Sequence, residues 1–320
     1  MSVLADTTTL LLTRSCERLM ASGLYLRDNS LAGDVQWVRE GHGHVLVYNP
    51  KKEGVDSSTV ASAPVLDVDT TTPSQDSPCT RFTTPPEGAM LTAIVRIDRD
   101  HFWLTSDGGY LGPNTICKEI LDVKPSCAFT DPGMEPIQLD FPTVLQILHD
   151  LTLQCVTPGY STGTSFFTTE KKIPTGFKLR HRLFEAIDSG VEYDSESDNG
   201  MSSSEDLYSF KHWPLMREQS HAELLALKKS HCLRPMPAYD INNDLLDPSM
   251  YCHCLQGAII EVHFTLSHWS IASTKHDIFS SLIKLICILV PAVVSPSIAK
   301  KWKLPLHLDL EESPVKRSAH

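Results

Sequence analysis

The sequence predicts an α+β protein with an antiparallel or mixed sheet, packed helices and long disordered loops. Three observations carry this. Ala258, Ile260, Val262, Phe264, Leu266 and His268 fall on one side of a two-residue period, opposite Ile259, Glu261, His263, Thr265, Ser267 and Trp269, as in a strand with one buried and one mixed face. Ala89, Leu91, Ala93, Val95 and Ile97 alternate with polar residues in the same way. Two further segments, 9–22 and 142–154, repeat apolar residues at helical spacing.

The 320 residues hold enough chain for one large domain or two small ones. An apolar content of 41% and a charged content of 21% are those of a globular protein, and 21 prolines point to extensive loops. The net charge of −11 argues against a general nucleic-acid binder, which needs a basic face, although it leaves room for a local basic patch. Nine scattered cysteines without a Cys-x-x-Cys pair read as reduced intracellular thiols. Leu10 to Leu12 are too short a run for a secretory signal, and no internal repeat is visible.

From the N-terminus, Leu12, Cys16, Leu19 and Met20 form one helical face, closed by Gly23. Val35–Val38 and Val45–Tyr48 then read as a hairpin around Glu40-Gly-His-Gly-His44. Together they make an N-terminal unit, 1–52. Residues 53–87, rich in Ser, Thr, Pro and Asp, read as a disordered linker. The main domain, 88–271, opens with a strand over 89–98, a turn at Asp98-Arg-Asp100 and a return strand over 101–106. A short helix is expected at 114–121. A longer one runs from Pro142 to about Gln154, with Val144, Leu145, Leu148 and Leu151 on one face. After a Gly/Thr-rich loop over 158–176, Leu179, Leu183, Phe184 and Ile187 predict a helix over 177–187.

Residues 185–210 contain eight acids and no Lys or Arg, so a disordered acidic loop is expected over 188–214. Ser220-x-x-Glu223 reads as a capping box for a short helix to about Lys229. The last unit, 272–320, is expected to be an apolar helix and a polar tail. Ile278–Val294 is a 17-residue apolar run at the short limit for a bilayer. A central Lys costs about 2.5–3 kcal/mol on insertion, close to the gain from about seven Leu, Ile or Val residues. With Lys284 central and Pro291 interrupting, the choice lies between a buried helix, a membrane anchor and a misjoined gene-model end.

His263-Phe-Thr-Leu266 matches the His-x-Thr-hydrophobic pattern of two-histidine phosphoesterases. There a histidine handles protons and a hydroxyl two residues on holds a phosphate oxygen. His263 and Thr265 share a strand face, but the chemistry needs a second pair. His268-Trp-Ser-Ile271 points to the opposite face, and His101-Phe-Trp-Leu104 lacks the hydroxyl. His231, Cys232, Cys252, His253 and Cys254 could be imagined as zinc ligands, yet Cys252-His-Cys254 is spaced too tightly for a knuckle. Gly41-His-Gly-His44 reads more simply as a flexible hairpin tip. No phosphate-binding glycine loop or hydrolase motif occurs, and no cofactor is expected. Ser195, Ser202 and Ser203 each precede an acid by three residues, and Ser313 precedes a proline. All four are phosphorylation candidates, with a solvated spacer as the plainer reading of the tract.

Through Pro237-Ala-Tyr-Asp240, Asp247-Pro-Ser-Met-Tyr251, Leu255-Gln-Gly-Ala258, Val262-His-Phe-Thr-Leu-Ser-His-Trp269 and Gly88-Ala-Met-Leu-Thr-Ala-Ile-Val95, the chain resembles a group of uncharacterised proteins of mushroom-forming (basidiomycete) fungi. The resemblance covers about half the chain and implies no activity. It implies that these phrases form one unit, with the apolar tail after Ile271 outside it. The leading expectation is a non-enzymatic interaction or regulatory protein of the cytoplasm or nucleus with an unknown protein partner. The alternatives are a phosphoester hydrolase using His263 and Thr265, or a tail-anchored membrane-associated protein.

Overall fold

The computed structural model describes residues 2–49, 86–115, 117–162, 166–171, 173–187 and 208–292. The fold is α+β: one large mixed sheet with several helices. Residues 53–85 and 188–207, and with them Ser195, Ser202 and Ser203, lie outside the described residues, as does Ser313.

Helix α1 (Ser2–Ser22) buries Leu12, Cys16 and Leu19 and stops before Gly23, whose φ of 67° only glycine adopts without strain. A single turn, α2 (Leu31–Asp34), leads into the expected hairpin, β1 (Val35–Glu40) and β2 (Gly43–Tyr48). Strand β3 (Leu91–Phe102) runs straight through the predicted turn. Asp98 Oδ1 accepts from the amides of Asp100 (2.7 Å) and His101 (3.2 Å). This makes a local irregularity between Ile97 and Phe102 in the register with β4 (Ser126–Thr130). The chain reverses later, through Gly108 and Gly109 at φ 58° and 73°. Of the helix expected at 114–121, only a 3₁₀ turn at Ile120–Asp122 is present.

Helix α3 (Asp140–Leu153) is as expected. Its buried Asp140 accepts from the Tyr25 hydroxyl at 2.7 Å and pairs with Arg27 at 3.2 Å, tying α3 to the segment after α1. The predicted loop at 158–176 contains β5 (Ser161–Thr162), β6 (Phe167–Glu170) and the start of β7 (Ile173–Arg180). The helix predicted over 177–187 is absent. Instead β7 buries Phe177 and Leu179 while Lys178 and Arg180 face outward, and β8 (Phe184–Ala186) follows. A Cβ on Gly176 would lie 2.3 Å from the Phe129 carbonyl oxygen, so glycine permits the close approach of β7 to β4.

Residues 208–214, expected within the acidic loop, are packed. Trp213 is buried and its indole N–H donates to the Ser106 carbonyl at 2.9 Å. The short helix α4 (His221–Ala226) is present, but Ser220 makes no side-chain cap bond. Glu223 accepts from the Tyr110 hydroxyl at 2.9 Å instead. Strand β9 (His231–Leu233) pairs with β8 in a separate two-stranded sheet. Then come β10 (Ala238–Tyr239), α5 (Tyr251–Leu255) and the two longest strands, β11 (Ile259–Ile271) and β12 (His276–Val290).

Over its described residues, 278–292, the apolar run is therefore not a helix, neither a buried one nor a helical anchor. Its described part is a strand paired with β11 from Ile271↔His276 to Ile259↔Val290, so it belongs to the unit from which the resemblance excluded it. Lys284 is exposed from β12 to solvent. No helix among the described residues is long and apolar enough to cross a membrane.

Five strands close on themselves. β3 pairs antiparallel with β4, β4 with β7, β12 with β11, and β11 with β3, while β7 and β12 meet in parallel. Numbered along the chain as first to fifth, they follow the ring order 1-2-3-5-4-1 with the third and fifth parallel. The ring is therefore a small five-stranded barrel, antiparallel except at the contact between its third and fifth strands. The β7–β12 seam is short: one register pair, Leu282↔Arg180, and a 2.8 Å bond from the Ser281 hydroxyl to the Lys178 carbonyl. Inward residues of the ring join α3, Tyr251 and Leu255 in the main core. Phe177 meets the rings of Phe129, Phe141, Phe166 and Phe264 at 5.5–6.5 Å. Helix α1 covers the outer face where Ile94, Ile259 and Leu289 meet.

Candidate functional site

His263 lies in this α1-covered region. Its Nε2 donates to Glu261 Oε1 at 2.8 Å, and Arg18 of α1 donates to the other oxygen of the same buried carboxylate. Across the sheet His263 faces Thr92 and Leu285. A register shift separates it from Phe264, and Thr265 pairs with Leu282. No second histidine–hydroxyl pair faces His263 in these pairings, and the imidazole serves an Arg18–Glu261–His263 network that fastens the helix. Burial alone would raise the Glu261 pKa; the hydrogen bond from His263 and the Arg18 charge outweigh it and hold the pKa below the ordinary value. A carboxylate with a depressed folded pKa stabilises above its unfolded pKa of 4.5 and loses that contribution as the pH falls through the folded value. Arg18→Ala is expected to cost about 2 kcal/mol at neutral pH. In urea melts the difference from wild type should shrink below pH 4.5; a pH-independent difference would refute the assignment.

His231 and Cys232 sit in the small sheet on β9, whereas Cys252, His253 and Cys254 are successive residues of α5. At 100° per residue the latter three point to different sides of the helix. None of the five belongs to a three-donor cluster among the described residues. The residues that do converge are His44, Cys155 and His268. β2 lies beside β11 with His44 opposite His268 and Gly43 opposite Trp269. A Cβ on Gly43 would fall 2.5 Å from the His268 carbonyl oxygen, so only glycine allows this approach. Cys155 enters from just beyond α3.

His268 Nδ1 lies 3.2 Å from His44 Nδ1 and 3.4 Å from Cys155 Sγ. On the far side of the ring, Nε2 is 3.1 Å from Asp277 Oδ1, and both atoms are buried. The other Asp277 oxygen accepts from the Thr157 amide at 2.8 Å. Burial alone would raise the Asp277 pKa, but the bond from Thr157 and the contact with His268 bring it below the usual carboxylate range. Burial pushes the Cys155 thiol up to about 11, and Asp277 adds to the effect. A nucleophilic cysteine is marked by the reverse shift.

A second constellation lies at the open seam of the barrel. One cavity of about 230 Å³ is lined by Lys124, Arg180, Arg182, Trp269 and Leu282, among others. A neighbouring one of about 220 Å³ is lined by Ser126, Lys178, Arg180, Ser280 and Ser281. Arg180 is common to both. Its buried Nε has no hydrogen-bond partner, nor does the buried Ser280 hydroxyl or His181 Nδ1. His181 donates from Nε2 to the Arg234 carbonyl at 2.6 Å, and burial lowers its pKa. Among the described residues, Lys124, Lys178, Arg180 and Arg182 take part in no ion pair. Burial lowers the Arg180 pKa, and repulsion from Arg182 lowers it further. Trp269, 39% exposed, has its indole edge against Gly43.

No family model, no curated protein and no solved structure matches the chain.

Proposed function

We propose that this chain is a non-enzymatic binding protein that holds a single-stranded polynucleotide across the β7–β12 seam of its barrel. The observation that carries the reading is Arg180, a half-buried cation with an unpartnered Nε at the junction of two cavities. A buried donor left unpaired costs free energy, and so does crowding cations without a counter-charge. A phosphodiester backbone relieves both. Lys124, Lys178 and Arg182 lie along the same groove, and Trp269 supplies a flat ring on which a base can stack, worth about 1–3 kcal/mol. The ring order of the barrel is like that of oligonucleotide/oligosaccharide-binding barrels, which agrees with this but does not decide it, because one fold serves many functions.

The net charge of −11 is no obstacle. Eight of the acids behind it lie within 185–210, so the overall count does not describe the groove. It does favour a selective binder over a general one, in keeping with a cytoplasmic or nuclear protein whose partner is a specific strand. Fluorescence anisotropy with labelled single-stranded and duplex oligonucleotides of equal length tests the proposal. Saturable binding of the single strand, with quenching of tryptophan emission that Trp269→Leu diminishes, is expected. Equal or stronger binding of the duplex, or of a polyglutamate peptide, would overturn it.

A further inference from the structure

We infer that His44, Cys155 and His268 form a zinc site, with Asp277 orienting His268. The three donors come from β2, the segment after α3, and β11, and all lie within 4.8 Å of one another. Zinc bound tetrahedrally, at about 2.0–2.1 Å from nitrogen and about 2.3 Å from sulfur, spaces its donors about 3.3–3.6 Å apart. The observed separations from His268 Nδ1 are 3.2 Å to nitrogen and 3.4 Å to sulfur.

Hydrogen bonding alone accounts poorly for the cluster. Asp277 beside Nε2 of His268 assigns the proton to that nitrogen, leaving one lone pair on Nδ1. Both His44 and the Cys155 thiol crowd that single lone pair. A cation satisfies all three donors at once. The Asp277–His268 contact is then the carboxylate–histidine–metal arrangement that fixes tautomer and ring orientation. Phe279, with its ring centroid 4.9 Å from that of His268, and Trp37 at 6.3 Å wall the inner side. His44 and Cys155 are only half-buried, which leaves an entry path. Three protein donors leave one coordination position for water or an added ligand. On binding, the Cys155 S–H bond breaks, its proton passes to solvent and sulfur bonds the metal. The ion would clamp the β1–β2 hairpin and the end of α3 to the barrel.

The site borders the groove at Trp269, next in the chain to His268, but its test uses metal alone. Full-length protein stripped with a chelator is titrated with Co²⁺, then with Zn²⁺. About one equivalent should bind, with a thiolate-to-cobalt charge-transfer band in the near ultraviolet and the intense visible bands of a four-coordinate ion. Cys155→Ser should abolish the charge-transfer band. Asp277→Asn should keep it while weakening affinity about 10–100-fold, and His44→Gln should reduce the stoichiometry. Peptide mapping after alkylation gives a readout that needs no variant: zinc should protect Cys155. Folded wild-type protein that shows no charge-transfer band and no protection of Cys155 would refute the site, as would a band unchanged in Cys155→Ser.

Discussion

Replacing Phe177 with alanine is expected to destabilise the protein by about 3–5 kcal/mol, the range for removing a buried phenylalanine ring. The ring is fully buried and meets four other phenylalanines, on β4, on α3, just before β6, and on β11. These elements do not collapse easily around the void, because each is fixed elsewhere by sheet pairing or by the Asp140 bonds. Phe177→Leu keeps most of the volume and should cost less than about 1.5 kcal/mol. Chemical denaturation of the two variants checks this. A loss below about 1 kcal/mol for Phe177→Ala would mean that residue 177 does not face the core, and would reopen the helical reading of that segment.

The double variant Arg180→Ala/Arg182→Ala should lose the larger part of single-strand binding, more than tenfold, with little change in stability. Arg182 is exposed and Arg180 makes no ion pair among the described residues, so their removal breaks no paired contact. Removing adjacent like charges relieves repulsion. Stability that is unchanged or slightly raised, together with lost affinity, is the signature of a binding residue as opposed to a packing residue. An affinity equal to wild type would exclude the groove.

Much of the sheet was legible because its strongest strand has one plainly apolar face. Ala258, Ile260, Val262, Phe264, Leu266 and His268 are all buried, as their alternation predicts. The neighbouring strand was illegible for the opposite reason. Ile278 to Val294 is apolar without a clear period, and such a run reads equally as helix or strand. Its outward residues Ile278 and Leu282 are half-buried by the seam, where an open sheet would carry polar side chains. In the segment 177–187, Leu179, Leu183 and Phe184 fit a helical period by coincidence. The alternation of Phe177, Lys178, Leu179 and Arg180 decides once β4 is beside it.

The two sites differ in what the sequence offers. His268 stands out as an imidazole at the end of an apolar strand face. Its partners Cys155 and His44 lie 113 and 224 residues away in the chain, so no local spacing could join them. The groove cations become visible only when β7 is read as a strand, since only then do Lys178 and Arg180 share a face. His263 and Thr265 caught attention through a short pattern, whereas the buried Glu261 beside them explains the histidine better.

The most direct test of groove binding is the salt dependence of single-strand affinity. Four cations engaging phosphates should give a slope of log K against log salt of about −3, at about −0.7 per phosphate for single strands. In Arg180→Ala/Arg182→Ala the slope should fall to about half. A slope near zero, or one identical in wild type and double variant, would contradict the binding of a polynucleotide by these residues.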